Sequence, residues 1–240
     1  MNSSTVAQTP SVLILGIGNL LWADEGFGVR AVEALHQHYE FADNVTLMDG
    51  GTQGIYLVQH VRDADILVVF DAVDYGLPPG TMKRVEGDEV PKFLGAKKIS
   101  LHQTGFQEVL AMAEMCDDAP EQLLLVGVQP VELEDFGGSL RPELKAQIGP
   151  CIDLVLDYLA GFGVQATKRD VALPPETTIG CEVMLLGRYE EERPDEDTAC
   201  RLGDERLLAD ERWQAPEDFE REIEMVLADV PQSQPEGESA

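Results

Sequence analysis

The sequence predicts an α/β fold: a doubly wound, mostly parallel twisted sheet flanked by helices on both faces, with an acidic C-terminal extension. Three observations predict it. Short unbroken apolar runs recur at residues 12–16, 66–70 and 123–128, as expected of strands buried on both faces. Stretches with helical periodicity alternate with them, the pattern of a parallel sheet. The composition then changes after residue 167, which divides the chain into an α/β domain, 1–167, and an extension, 168–240.

Each element follows from local sequence. Val12, Leu13, Ile14 and Leu15, ended by Gly16, form the first strand. Phe27, Val29, Val32, Leu35 and Tyr39 recur at helical spacing and place a helix over residues 26–39. Residues 45–48 are a second strand, closed by Asp49-Gly50-Gly51; Thr52 is suited to cap a helix over 53–61. Residues 66–70 form a third strand that ends at Asp71. A Pro-Pro-Gly turn precedes an edge strand at 81–85, residues 103–115 are helical, and 123–128 is a further buried strand. A long helix is expected over 142–159, with Pro142 in its first turn.

The extension holds eight basic against 21 acidic residues. Such a composition buries little apolar surface, so partial disorder is expected. Two stretches are apolar enough to order: 179–189, expected to dock as a strand, and 217–229, where Phe219, Ile223, Val226 and Leu227 share a helical face.

The formal net charge of -28 excludes several classes of function. Phosphate backbones need clustered Lys and Arg, so nucleic acid is not a partner. An anionic membrane surface is disfavoured, and the first apolar run is too short for a signal core or a membrane span. Cys116, Cys151, Cys181 and Cys200 form no CxxC pair, which excludes a zinc ribbon or redox dithiol and leaves packing as their default role.

In a doubly wound sheet, ligands bind at the carboxyl ends of the strands. Those ends carry Gly16-Ile17-Gly18-Asn19 with Asp24-Glu25-Gly26, then Asp49-Gly50-Gly51-Thr52, then Asp71 and Asp74; His102 stands just before a helix. Carboxylates gathered on one rim repel one another, so a cation among them is the simplest resolution. One imidazole with two carboxylates suits a divalent first-row metal and leaves open coordination positions. Singly, each residue has a plainer role: Glu25 favoured by a helix dipole, Asp49 and Asp71 as turn formers, His102 as a loop histidine. His36, His38 and His60 are assigned to the surface. HExxH and GxSxG motifs are absent, which excludes the common zinc-protease and serine-hydrolase designs.

At these same residues the chain resembles the nickel-iron hydrogenase maturation endopeptidases. The matching segments are Leu15-Gly16-Ile17-Gly18-Asn19-Leu20-Leu21, Asp24-Glu25-Gly26-Phe27-Gly28-Val29-Arg30, Asp49-Gly50-Gly51-Thr52, Asp71-Ala72-Val73, Pro79-Gly80-Thr81, Ser100-Leu101-His102-Gln103 and Gly127-Val128-Gln129-Pro130. They occur in order between residues 12 and 163. The acidic extension resembles the longer subgroup that serves uptake hydrogenases.

The resemblance implies a cytoplasmic endopeptidase that removes the C-terminal peptide of the hydrogenase large-subunit precursor after nickel insertion. It maps the metal-contacting positions onto Glu25, Asp71 and His102, and the acid of the DGGT motif onto Asp49, a candidate catalytic residue. The nickel would be borne by the substrate, with no permanent cofactor, and the enzyme is expected to be monomeric. Two other readings compete. A dinucleotide-binding oxidoreductase would use Gly16 and Gly18, but Leu21 stands where a third glycine belongs and Asp24 and Glu25 would oppose a pyrophosphate. A non-enzymatic adaptor for an immature metalloprotein would use the acidic tail.

Overall fold

In the computed structural model the described residues are 9–91 and 101–193, with the backbone alone described at 101–104. Five strands form one sheet in the order β3-β1-β4-β6-β5. They are β1 (Val12–Ile17), β3 (Val45–Gly51), β4 (Ile66–Ala72), β5 (Met82–Glu86) and β6 (Gln122–Val128). β1 pairs in parallel with both β3 and β4, and β4 pairs in parallel with β6. β5 is the antiparallel edge. The chain leaves β1 towards β3 and then returns to its other side as β4. The crevice at the carboxyl ends of β1 and β4 is therefore the topological switch point.

Alternate residues of each strand feed two cores, as strand periodicity requires. On one face Val12, Ile14, Val68, Phe70 and Val126 pack with Phe27, Val32 and Leu35 of α1 (Phe27–His38). On the other, Leu13, Leu15, Leu67, Val69 and Leu125 pack with Val61 of α2 (Val58–Arg62) and with Phe106, Val109 and Leu110 of α3 (Leu101–Met115). All six residues of β1 and all seven of β4 are buried, which accounts for their unbroken apolar runs.

Some local expectations give way to geometry. The expected helix 142–159 is two: α4 (Pro142–Lys145) and α5 (Ile148–Ala160). Pro150 explains the break. Within one continuous helix its ring would clash with the carbonyl of Ala146; in the first turn of α5 its missing N–H costs nothing. Thr52 does not cap the next helix, because a 3-10 turn (Gly54–Leu57) with no side-chain cap intervenes before α2. Gly54, at φ 53°, interrupts regular winding there.

Ordered structure continues past residue 167 and forms one compact unit through Arg193. β7 (Thr167–Lys168) pairs antiparallel with β2 (Tyr39–Glu40). The segment 179–189, expected as a strand, instead makes a 3-10 turn (Glu182–Met184) and begins α6 (Leu186–Glu192). It lies over α1 because Arg30 captures the carbonyl of Met184. Ser139 Oγ and Lys145 both donate to Glu190, which fixes its far end. The expected helix 217–229 lies outside the described residues. No helix among the described residues is long and apolar enough to cross a membrane. Cys151 is a core residue against Met82, and burial pushes its thiol up to about 12; Cys116 and Cys181 are exposed.

Candidate functional site

Glu25 owes its place to glycines. It sits in a 3-10 turn (Ala23–Gly26) between β1 and α1 and is half-buried. The turn lies on Gly18, where a Cβ would stand 1.8 Å from the carbonyl oxygen of Glu25. Gly28 then seats α1 on the sheet: a Cβ there would meet the carbonyl oxygens of Phe70 at 2.1 Å and Ile17 at 2.3 Å. The start of α1 thus rests on the ends of β1 and β4, and Asp71 is the residue after Phe70.

Asp24, beside Glu25, is fully buried and serves a different purpose. Its Oδ2 accepts the backbone N–H groups of Val131 and Glu132 at 2.8 and 2.9 Å, and its Oδ1 accepts that of Arg141 at 2.7 Å. One carboxylate therefore ties the loop after β6 to the turn that carries Glu25. Three backbone donors with good geometry hold such a carboxylate firmly.

Asp71 ends β4, is 1% exposed, and pairs in register with Gly127 of β6. Tyr75 lies across Gly127, where a Cβ would fall 2.2 Å from its hydroxyl. Burial, and secondarily the charge of Asp71, raises the Tyr75 phenol above its ordinary value. Gln129 braces the loop: its side-chain oxygen accepts from the backbone of Tyr75 and Leu77, and its amide donates to Asp74 at 2.9 Å.

His102 falls in the first turn of α3, and its imidazole lies outside the described residues. The backbone nevertheless locates that end of the helix. Gly105 and Gly54 pack so closely that a Cβ on Gly105 would lie 3.5 Å from Gly54 Cα. The first turns of α3 therefore rest on the loop that follows Asp49-Gly50-Gly51. Among the described residues no three Asp, Glu, His or Cys side chains form a group able to hold a metal.

Asp49 lies at the end of β3, opposite Gly16 of β1, where the register shifts to pair Ile17 with Gly51. Burial raises its carboxyl above the usual range, while the Gly51 N–H and the charge of Arg30 act the other way. Sequence reasoning missed its neighbours. Arg30 and Glu33 are 4% and 3% exposed and form an ion pair at 3.0 Å. Burial raises the Glu33 carboxyl despite Arg30, and Asp49 adds to the rise. Their i,i+3 spacing on a helix with a strong apolar face was the available signal. His36 is at the surface, where its Nε2 stands 2.8 Å from the carbonyl oxygen of Thr177 in the C-terminal segment.

A mostly parallel sheet with Asp49 and Asp71 at the carboxyl ends of its strands and the Glu25 turn beside its switch point defines an α/β protein of the class that takes ligands at the strand ends. Residues 29–158 match the family model described as hydrogenase maturation protease. The chain is 66% identical over 199 residues to the hydrogenase expression/formation protein HupD of Thiocapsa roseopersicina, covering 83% of this chain and 90% of that one. It is 42% identical over 160 residues to the hydrogenase 2 maturation protease of Escherichia coli (strain K12), covering 66% and 96%. Its fold is similar to that of the hydrogenase maturating endopeptidase HybD from E. coli, with 41% identity and a TM-score of 0.63 over 66% of this chain and 97% of that one.

The chain belongs to the hydrogenase maturation protease family, in its longer, uptake-type form, and is a peptidase. The oxidoreductase and non-enzymatic adaptor readings are set aside by that membership. Because only 167 residues precede the acidic extension, at least 32 of the 199 matched to HupD lie within it.

Proposed function

We propose that this enzyme cleaves the C-terminal peptide from a hydrogenase large-subunit precursor once nickel has been inserted, and that Glu25, Asp71 and His102 recognise that nickel. The ion arrives as part of the substrate and takes the two carboxylates and the imidazole as additional ligands. Precursor lacking nickel offers nothing to these groups, so affinity discriminates loaded from empty substrate. Nickel near the scissile bond polarises its carbonyl or lowers the pKa of an attacking water. Asp49, its carboxyl raised by burial, acts as base or orients that water. The enzyme works as a cytoplasmic monomer and carries no metal between turnovers.

One observation carries the reading: Gly28 docks against the Phe70 carbonyl, which supports Glu25 and Asp71 facing a common crevice. The surroundings suit a protein substrate. Leu21, Ile55, Tyr56, Leu77, Val131 and Phe136 are exposed, and all lie in loops that follow the carboxyl ends of parallel strands. Large apolar side chains gathered around one rim mark a protein-binding surface.

The test replaces Asp71 or His102 by Ala and follows precursor mass after incubation with nickel-loaded substrate. Loss of cleavage with an unchanged circular dichroism spectrum is expected. Wild-type cleavage by both variants removes the nickel-ligand assignment.

A further inference from the structure

The buried Arg30–Glu33 pair does not enter the cleavage scheme above, yet it lies against the rim acid. Glu33 gives one oxygen to Arg30; the other, Oε1, is buried and has no hydrogen-bond partner. Asp49 turns Oδ1 towards Gly51 and Oδ2 towards Gly180, a residue of the C-terminal segment. A Cβ on Gly180 would stand 3.2 Å from Glu33 Oε1 and 3.5 Å from Asp49 Oδ2, so those oxygens lie within 6.7 Å of each other. The same segment covers them. Arg30 donates to the Met184 carbonyl, and its guanidinium carbon stands 5.7 Å from the centre of the Tyr189 ring.

A buried acceptor with no donor is uncommon and calls for an explanation. The bound leaves room for one water between the two oxygens, and such a water would give Glu33 Oε1 the donor it lacks. Burial raises both carboxyls, and the charge of Asp49 adds to the rise at Glu33.

We infer that Glu33 is a positioning residue for Asp49: fixed by Arg30 and roofed by residues 180–189, it links Oε1 to Asp49 Oδ2 through a single water, leaving Oδ1 beside Gly51 at the rim. The inference rests on the reading of Asp49 as the acid used in cleavage. It also gives the C-terminal segment a role, since Gly180 lies against Asp49. That glycine is not in the left-handed region, so a larger residue there probes space rather than backbone strain.

Two measurements on the full chain test it. The first follows the Glu33 carboxyl carbon by NMR as pH is varied, in wild type, Asp49→Asn and Gly180→Val. A midpoint lowered by half a unit or more in Asp49→Asn, and displaced in Gly180→Val, is expected; a midpoint unmoved in both overturns the link. The second is steady-state processing of nickel-loaded precursor. Glu33→Met should lower kcat about tenfold with KM within twofold, and Glu33→Gln, whose amide still gives Asp49 a hydrogen, should keep at least half of kcat. Equal loss in both variants, or none in Glu33→Met, overturns the positioning role. If Glu33→Met does not fold, the Gln variant and the titration decide. Wild-type cleavage by Asp49→Asn would defeat the catalytic reading of Asp49, while the titration would still decide the link itself.

Discussion

Gly28 and the carbonyl oxygen of Phe70 approach so closely that a methyl group on Gly28 would stand 2.1 Å from that oxygen. Backbone meets backbone here, and no side chain can move aside. Gly28→Ala must therefore lift α1 from β1 and β4. Overpacking of this kind costs about 3 kcal/mol, which for a domain of this size lowers the thermal midpoint by roughly 6–12 °C. Because the lift also separates Glu25 from Asp71, processing should fall by more than stability alone explains. Calorimetry, with assays run well below the midpoint, separates the two effects.

Asp24 and Glu25 are neighbours with opposite expected outcomes. Asp24→Ala leaves three backbone N–H groups without the buried carboxylate they donate to. Hydrogen bonds to a charged group are worth about 1.5–3 kcal/mol each and are not additive, so a loss of about 3 kcal/mol is expected. Glu25→Ala removes a half-buried rather than a fully buried side chain and should cost less than Asp24→Ala, yet abolish cleavage. Urea titrations of both variants check this. Equal destabilisation would show that Glu25 is structural.

The contrast between those two acids marks how far the sequence could be read. The parallel sheet, its edge strand at Met82–Glu86 and the rim of Asp49, Asp71 and the Glu25 turn were all legible, because buried strands write unbroken apolar runs and glycines punctuate their ends. That Asp24 spends its carboxylate on backbone donors was not legible: the partners lie more than a hundred residues away. The same distance hid the contact between Gly180 and the Glu33–Asp49 pair. The segment around it read as a strand because apolar content does not say whether a helix face or a sheet edge receives it. Pro150 was visible, but Pro142 just upstream gave the helix an earlier acceptable start.

Tyr56 is 80% exposed in the 3-10 turn that follows Asp49-Gly50-Gly51. An isolated protein gains nothing from holding a large ring in water there, whereas a protein substrate can bury it. Tyr is among the residues that dominate interface energetics, at about 2 kcal/mol or more when central. Tyr56→Ala should raise KM for nickel-loaded precursor about tenfold or more, since each 1.4 kcal/mol is roughly a factor of ten. Its kcat and thermal midpoint should be unchanged. An unaltered KM would show that the precursor binds elsewhere.

Glu33 also sets a pH dependence whose sign can be worked out. Burial raises its folded-state carboxyl above its ordinary value of 4.5, with Arg30 opposing and Asp49 adding to the rise. A raised acid binds its proton more tightly in the folded state. Its contribution to stability is fully present below 4.5 and is lost as pH rises through the folded-state value. Glu33→Gln removes this titration while keeping an acceptor for Arg30. Unfolding free energies of wild type and Glu33→Gln, measured in urea from pH 4 to pH 7 at fixed salt, should therefore diverge, with the variant gaining relative to wild type as pH increases. The acidic groups elsewhere titrate in both proteins and cancel in the difference. A difference that stays flat across that range would mean the Glu33 carboxyl is not raised in the folded protein, and one that shrinks with pH would mean Arg30 outweighs its burial.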